Sequence, residues 1–425
     1  MNLKYSARAL LVALLEEEQE EEEDEEDLLL LSKLSEVGKK HSRYQKNYIN
    51  SLSPTGKKNR DRRIPRESLQ SPEESVWKSV YESDSDSGLL TVTGLTKEAF
   101  NELLTHFSPI YWSNSPFGGV DGFCKSMPLD RRRTGHPRSL DAAGCLGLVL
   151  SWSRTRGSLW NLAVNFGLTS STANDWLNFG KLCLIDVLRK HPSGAVKLPS
   201  GQETQEFIEL ISHKHPLLGD EKVWGTMDGL KLYIQSSGDD KVQSMFYNGW
   251  KCDHFVTNVL LFAPDGTIAD GVYNCPGSVH DSQVANWGKL YNRLGKHHEQ
   301  FHGKITGDSA FLSGPDVPYI IKSAQNSVYA ENEREVLMIR EATSMRQASE
   351  WGMRALQGSF PRLKDRFMYE EKGVRAISLE LIFRLFNFRT REVGLNQIQS
   401  VYACHLDQSA NDFFNIEFHD EDLEY

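Results

Sequence analysis

Long apolar runs are missing from this chain: no stretch reaches the ~18–20 uninterrupted residues that a spanning helix needs, so the sequence reads as soluble, with no membrane partner. Paired cysteines are missing too. Cys124, Cys145, Cys183, Cys252, Cys275 and Cys404 are scattered through 425 residues without a Cys-x-x-Cys pair or zinc spacing, which excludes a disulfide framework and leaves reduced thiols of the cytosol or nucleus. Nor is there an excess of positive charge. The formal net charge is −10, which argues against nucleic acid until the charge is located. Residues 1 to 27 hold eleven acidic residues against Lys4 and Arg8, a net −9, and the remainder carries 46 basic and 47 acidic residues. The acidity belongs to the leader.

Every residue from Glu16 to Asp27 except Gln19 is acidic, a density that self-repels and buries nothing, so a disordered leader is expected. The preceding MNLKYSARALLVALL lacks the small-residue cleavage region of a secretory signal and reads as an amphipathic or disordered start. Between Lys39 and Arg66 the sign reverses in KKHSRYQK and KKNRDRRIPR, which reads either as a nuclear-import or phosphate-binding arm or as a solvated segment. SPEES and SDSDSG extend this linker to residue 88, and folded structure is expected from Leu89.

Residues 89–200 read as helical. Phe100, Leu103, Leu104 and Phe107 recur at helical spacing, and SLDAAGCLGLVLSW reads as a buried helix. In SLWNLAVNFGLTSSTANDWLNFGKL, Ala163 lies four residues before Gly167, Ser170 or Ser171 can cap the next helix, and Trp176 falls on its inner face. That is the outline of a helix-turn-helix, or equally of any two helices packed across a glycine turn. The cationic stretch RRRTGHPR before it adds Arg131, Arg132 and Arg133 as candidate DNA-backbone contacts.

From residue 201 to 405 the texture becomes α/β. VWGTMDGLKLYI, DHFVTNVLLFA and TIADGVYNC read as strands, with Pro264-Asp265-Gly266 as a tight turn. SVHDSQVANWGKLYNRL reads as a helix capped near Ser278, GKITGDSAF as a short buried strand, and Glu333 to Leu356 as a long helix. Residues 406–425 form an acidic tail. His297, His298 and His302 lack a fourth zinc partner and are assigned to a solvated loop.

Three acids stand in positions that can converge: Asp228 in the first strand, Asp308 at the end of the fourth and Glu350 on the long helix. Phosphodiester cleavage needs cations, because negative oxygens shield the phosphorus and the alkoxide leaves poorly; two Mg²⁺ ions about 3.5–4 Å apart meet both needs. Magnesium prefers oxygen ligands, hence Asp and Glu. Each acid also has a structural reading: Asp228-Gly229 as a hairpin turn, Asp308 as a turn cap, and Glu350 as one member of an ion-paired helix face with Arg346 and Arg354.

The span from about Trp224 to Phe367 resembles the DDE endonuclease domain of PIF/Harbinger transposases, a family that includes the Harbinger-derived nuclease-like proteins of animals. The matching pieces, in the family's order, are MDG with Asp228, FYNGWKCDHF with Lys251, PGSVHDS with Asp281, GDSAF with Asp308, RQASEWG with Glu350, and FPRLKDRF. The resemblance implies an RNase H-like mixed sheet flanked by helices, and metal-dependent DNA cut-and-paste activity. Asp228, Asp308 and Glu350 would be the catalytic metal ligands for Mg²⁺, with Mn²⁺ substituting. Asp281 would be an outer-shell or alternative ligand, and Arg346 and Lys251 would contact DNA. A Myb/SANT-like DNA-binding protein partner, homo-oligomerisation on DNA and a nuclear location are implied as well. The chain departs from the pattern at Gln357, where related bacterial enzymes carry a basic residue, and at Leu385-Phe386-Asn387, where the family often has Leu-His-Asn. Two rivals remain: a domesticated protein that binds DNA or regulates without cutting, and a nuclease that cuts without joining.

Overall fold

A computed structural model describes residues 66–83, 85–114, 138–323, 333–368 and 372–394. The acidic leader, the basic cluster up to residue 65, Arg131, Arg132 and Arg133, and the acidic tail lie outside the described residues. The chain divides into two units. One comprises Met1–Leu69 with Ser113–Thr134, and what is described of it is mainly the 3-10 turn Arg66–Ser68; the other comprises Gln70–Trp112 with Gly135–Tyr425 and holds the elements that follow.

Its first part is helical: α1 (Val76–Glu82), α2 (Asp86–Thr93), α3 (Lys97–Ser113), α4 (Ala142–Arg154), α5 (Leu159–Asn165), α6 (Ser170–Lys190), α7 (Gly201–Lys214) and the short α8 (Pro216–Asp220). Polar caps mark the starts, as free N–H groups of a first turn require: Ser75 accepts from the N–H of Lys78, and Asp141 from that of Gly144. Ordered structure therefore begins well before Leu89, inside the stretch assigned to linker. The cause is Trp77, which is buried, stacks on Phe166 with ring centroids 5.2 Å apart, and lies against α4 where Gly147 has no side chain. One aromatic residue organises a segment whose Ser and Glu content suggested disorder.

The α5–α6 pair is joined at Gly167, whose φ of +63° and closeness to the Gln70 carbonyl both require glycine. Thr169, rather than Ser170 or Ser171, caps α6 by accepting from the Thr172 N–H. Trp176 is buried as expected, but the exposed residues along the first two turns are Ser171, Asn174, Asp175 and Asn178, without a cation among them.

The α/β part comprises β1 (Val223–Tyr233), α9 (Asp240–Phe246), β2 (Tyr247–Asn248), β3 (Asp253–Phe262), β4 (Ile268–Pro276), α10 (Asp281–Trp287), α11 (Leu290–Phe301), β5 (Lys304–Gly307), β6 (Ile320–Lys322), α12 (Glu333–Ser359) and α13 (Lys372–Val393). The sheet runs β2-β3-β1-β5-β6, with β4 also on β3. β1, β3 and β4 are antiparallel neighbours, whereas β5 and β6 run parallel to β1. β2, α9 and β6 were not anticipated, being too short for periodicity to reveal.

Alternation along β1 sends Leu230, Leu232 and Ile234 into the core shared with Met345, Ala348, Leu381 and Phe388 of α12 and α13. Met227 and Trp224 join the opposite core, with Val284 and Ala285 of α10 and Leu290 and Leu294 of α11. The expected histidine loop is corrected here. His297 lies within α11 and is buried, its Nε2 within 3.1 Å of the Pro199 carbonyl, and His298 Nδ1 lies 3.0 Å from the Gly303 carbonyl. The α11 amphipathic pattern continues through His297, so the ring faces the core. Ser278 also caps no helix: its hydroxyl donates to the Met245 carbonyl, and α10 starts after His280.

Candidate active site

Asp228 is the sixth residue of β1 and Asp308 the first residue after β5. The parallel ladder ends on the pair Met227 and Gly307, so the two acids occupy the next positions on adjacent strands, whose spacing is about 4.8 Å. Alternation puts Asp228 on the face of Leu230 and Leu232, the face covered by α12, and Asp308, just past the strand end, reaches the Arg346 side chain of that same helix. Glu350 approaches on α12. Asp228-Gly229 is thus internal to a strand and no hairpin turn.

Arg346, one turn before Glu350, ties the group together. Its Nη1 lies 3.4 Å from Asp308 Oδ1 and its Nη2 3.4 Å from Glu350 Oε1. The side chains of Asp308, Arg346 and Glu350 are 31, 30 and 42 % exposed, so the site is open to solvent, while Asp228 sits deeper. Burial pushes its carboxyl up to about 6; the Gly229 N–H, which donates to its Oδ1 at 2.7 Å, and the Arg346 cation oppose the rise, and Asp308 and Asp281 add to it. The rise is thus chiefly the cost of holding a charge away from water.

The donor set is all oxygen, which suits a hard divalent cation. The carboxylates do not yet close on one point. Among the described residues, no trio drawn from these acids brings one oxygen each within 4.8 Å of the others; the guanidinium stands between two of them.

Asp281 is drawn to the same region but to the other side of β1. It is the first residue of α10, whose Val284 and Ala285 pack in the opposite core. Its carboxylate accepts from Lys231 Nζ at 3.0 Å and lies over Gly229, where an added Cβ would stand 2.2 Å from Oδ2. Asp281 caps nothing. It is held by a lysine that the sequence reading did not single out, although Lys231 follows Asp228 by three residues and alternation puts it on the same face as Gly229.

Lys251 is exposed at the β2–β3 turn, its backbone N–H donating to Asn248 Oδ1. Asp228 pairs with Leu260, seven residues from the start of β3, or roughly 23 Å along the strand, so the fold does not bring Lys251 to the carboxylates.

A different cluster, Glu102, His106 and His191, does place one ligand atom of each within 4.8 Å of the others. Glu102 Oε1 lies 3.3 Å from His106 Nε2 and 3.5 Å from His191 Nε2. Yet His191 Nδ1 accepts the Ser193 N–H, which leaves the ring proton on Nε2, facing Glu102. That tautomer presents an N–H to the cluster, the wrong state for a metal ligand.

Asn387, at the Leu-Phe-Asn departure, is buried and structural. Its Oδ1 accepts from the Ile268 N–H, and its Nδ2 donates to the Ala195 and Ile268 carbonyls, each at 2.8 Å. No curated protein and no solved structure matches the chain. The segment from Met227 to Asn387, which carries Asp228, Asp281, Asp308, Arg346 and Glu350, matches the family model described as DDE superfamily endonuclease.

Proposed function

We propose that this protein is a metal-dependent DNA transposase of the PIF/Harbinger type, cutting phosphodiesters with an RNase H-like domain and joining the freed ends to target DNA. The observation that carries the reading is the adjacency of Asp228 and Asp308 on parallel strands, with Glu350 linked to Asp308 through Arg346 on the same face. The strand order β4-β3-β1-β5-β6, with the first three antiparallel and the others parallel to β1, supports the RNase H-like assignment. So does the match to DDE superfamily endonucleases over residues 227–387.

Asp228, Asp308 and Glu350 would hold Mg²⁺, or Mn²⁺ in its place; Asp281, held by Lys231 over Gly229, would serve as an outer-shell or alternative ligand. Bound Mg²⁺ supplies a Lewis acid for the phosphoryl oxygen and lowers the pKa of the attacking hydroxyl. Arg346 has the reach and the planar fork to take a phosphate oxygen at the rim. Positioning by these side chains and a fixed field of charge do the remaining work. DNA delivery would rest on a Myb/SANT-like partner and on a second copy of the chain in the nucleus, since the exposed start of α6 is not cationic and the excess acidity lies in the leader.

The test is Mg²⁺-dependent nicking of a duplex carrying the inverted repeats that flank the coding region. Wild-type protein should nick it, and Asp228→Asn and Asp308→Asn should each fall by at least about 100-fold. Equal nicking by wild type and Asp308→Asn would overturn the assignment. A strand-transfer assay with pre-cleaved ends separates a transposase from a nuclease that only hydrolyses.

A further inference from the structure

Arg346 holds Asp308 and Glu350 with a geometry unlike that of the two-pronged arginine pairs in the fold. Arg366 grips Asp253 in a two-pronged contact at 2.9 and 2.7 Å, and Arg293 grips Asp270 at 2.7 and 2.8 Å. These are close, bidentate, charge-assisted bonds. Arg346 instead spreads its two terminal nitrogens over two different carboxylates, each at 3.4 Å. The bridge is loose and about one-third exposed, so separating it costs little, because solvent screens such ion pairs.

The same guanidinium stands between two groups whose oxygens would have to approach to about 2.0–2.1 Å of a magnesium ion. A large monovalent cation at 3.4 Å and a small divalent one at contact distance cannot share that space. Asp228, one strand over, feels the Arg346 charge as well, so one cation acts on all three acids.

We propose that Arg346 is a displaceable internal counter-cation: without a bound ion it occupies the space between Asp308 and Glu350, and it withdraws when those carboxylates close on a divalent cation. This rests on the nuclease reading above and deepens it. Once released, the guanidinium carries its charge outward from a helix that borders the site, where the substrate's phosphates must lie. Metal entry and DNA grip are thereby coupled through one side chain: the ion makes the arginine available, and a phosphate that engages the arginine in turn favours the ion.

The experiment uses the full chain without DNA and Mn²⁺ alone as the probe, titrated calorimetrically. Arg346→Gln, checked for wild-type secondary structure by circular dichroism, should bind Mn²⁺ roughly fivefold tighter than wild type, since the competing ion pairs are gone. Arg346→Lys should fall between the two. As a second readout in the wild-type protein, the guanidinium Nε resonance of Arg346, assigned by its disappearance in Arg346→Lys, should move on addition of Mg²⁺. Mn²⁺ affinity that is lost in Asp308→Asn but unchanged or weakened in Arg346→Gln would overturn the counter-cation role while sparing the nuclease reading, as would an unmoved resonance. Failure of wild type and all variants to bind Mn²⁺ would overturn both.

Discussion

At the scale of single residues, Gly229 decides where Asp281 can go. An added Cβ would stand 2.2 Å from Asp281 Oδ2, far inside contact distance, so Gly229→Ala should force α10 or the carboxylate away and break the bond to Lys231. A loss of about 1–3 kcal/mol is expected from such overpacking, measured by urea denaturation; undiminished stability would mean that Asp281 moves aside freely. His215 supports a pH prediction. It is 5 % exposed, and burial, aided by the neighbouring Lys214 cation, pushes its pKa down to about 4. Above the unfolded value near 6.5 both states are neutral and the residue has no effect. Between about 6.5 and 4 only the unfolded chain takes the proton, so stability falls as pH falls, by up to about 3 kcal/mol, and levels off below that window. His215→Gln should flatten the drop between pH 7 and 5 in urea melts; an unchanged slope would assign the acid sensitivity to other groups.

At the scale of elements, what could be read from the sequence was what has a period or a strong local signature. Val223 to Ile234 runs apolar through Asp228-Gly229, which reads as a strand and is one, and α12 was visible over almost its full length. Turn chemistry at Pro264-Asp265-Gly266 was equally legible, and Gly266 takes the left-handed φ of +80° there. The rest was set by partners distant in sequence. β6 has three residues and takes its identity from pairing with β5; α1 takes its order from Trp77 meeting Phe166; and the Lys231–Asp281 bond joins residues 50 apart. Asn387 is the clearest such case. From α13 it satisfies both backbone groups of Ile268 at the start of β4 and the carbonyl of Ala195. Truncation would strand buried donors and acceptors, so Asn387→Ala should destabilise by about 2–3 kcal/mol. Because it lies among the helices rather than at the carboxylates, the residual folded protein should keep its Mn²⁺ affinity. Chemical denaturation beside a Mn²⁺ titration checks both halves, and weakened metal binding in folded protein would place Asn387 closer to the chemistry than its contacts do.

At the scale of the whole molecule, charge is arranged in compartments. The −10 net charge is carried almost wholly by the first 27 residues, and the acidic face of the sheet is partly compensated from within by Arg346 on one side of β1 and Lys231 on the other. Because these internal ion pairs need no bound ion, the fold is expected to form without a metal. It follows that chelation should leave the melting temperature of the full chain unchanged, in contrast to small metal-dependent domains that unfold without their ion. Added Mg²⁺ should still stabilise, because an ion that binds only the folded state contributes RT ln(1 + [L]/Kd), about 1.4 kcal/mol at ten times Kd. Asp308→Asn should abolish that increment, and Arg346→Gln should enlarge it at equal Mg²⁺ while lowering the starting melting temperature, since its removal leaves Asp308 and Glu350 to repel each other. Differential scanning fluorimetry across a Mg²⁺ series, with and without chelator, reads all of these shifts together. A large fall on chelation alone would show that the internal cations do not compensate the site and that the ion is part of the folded core.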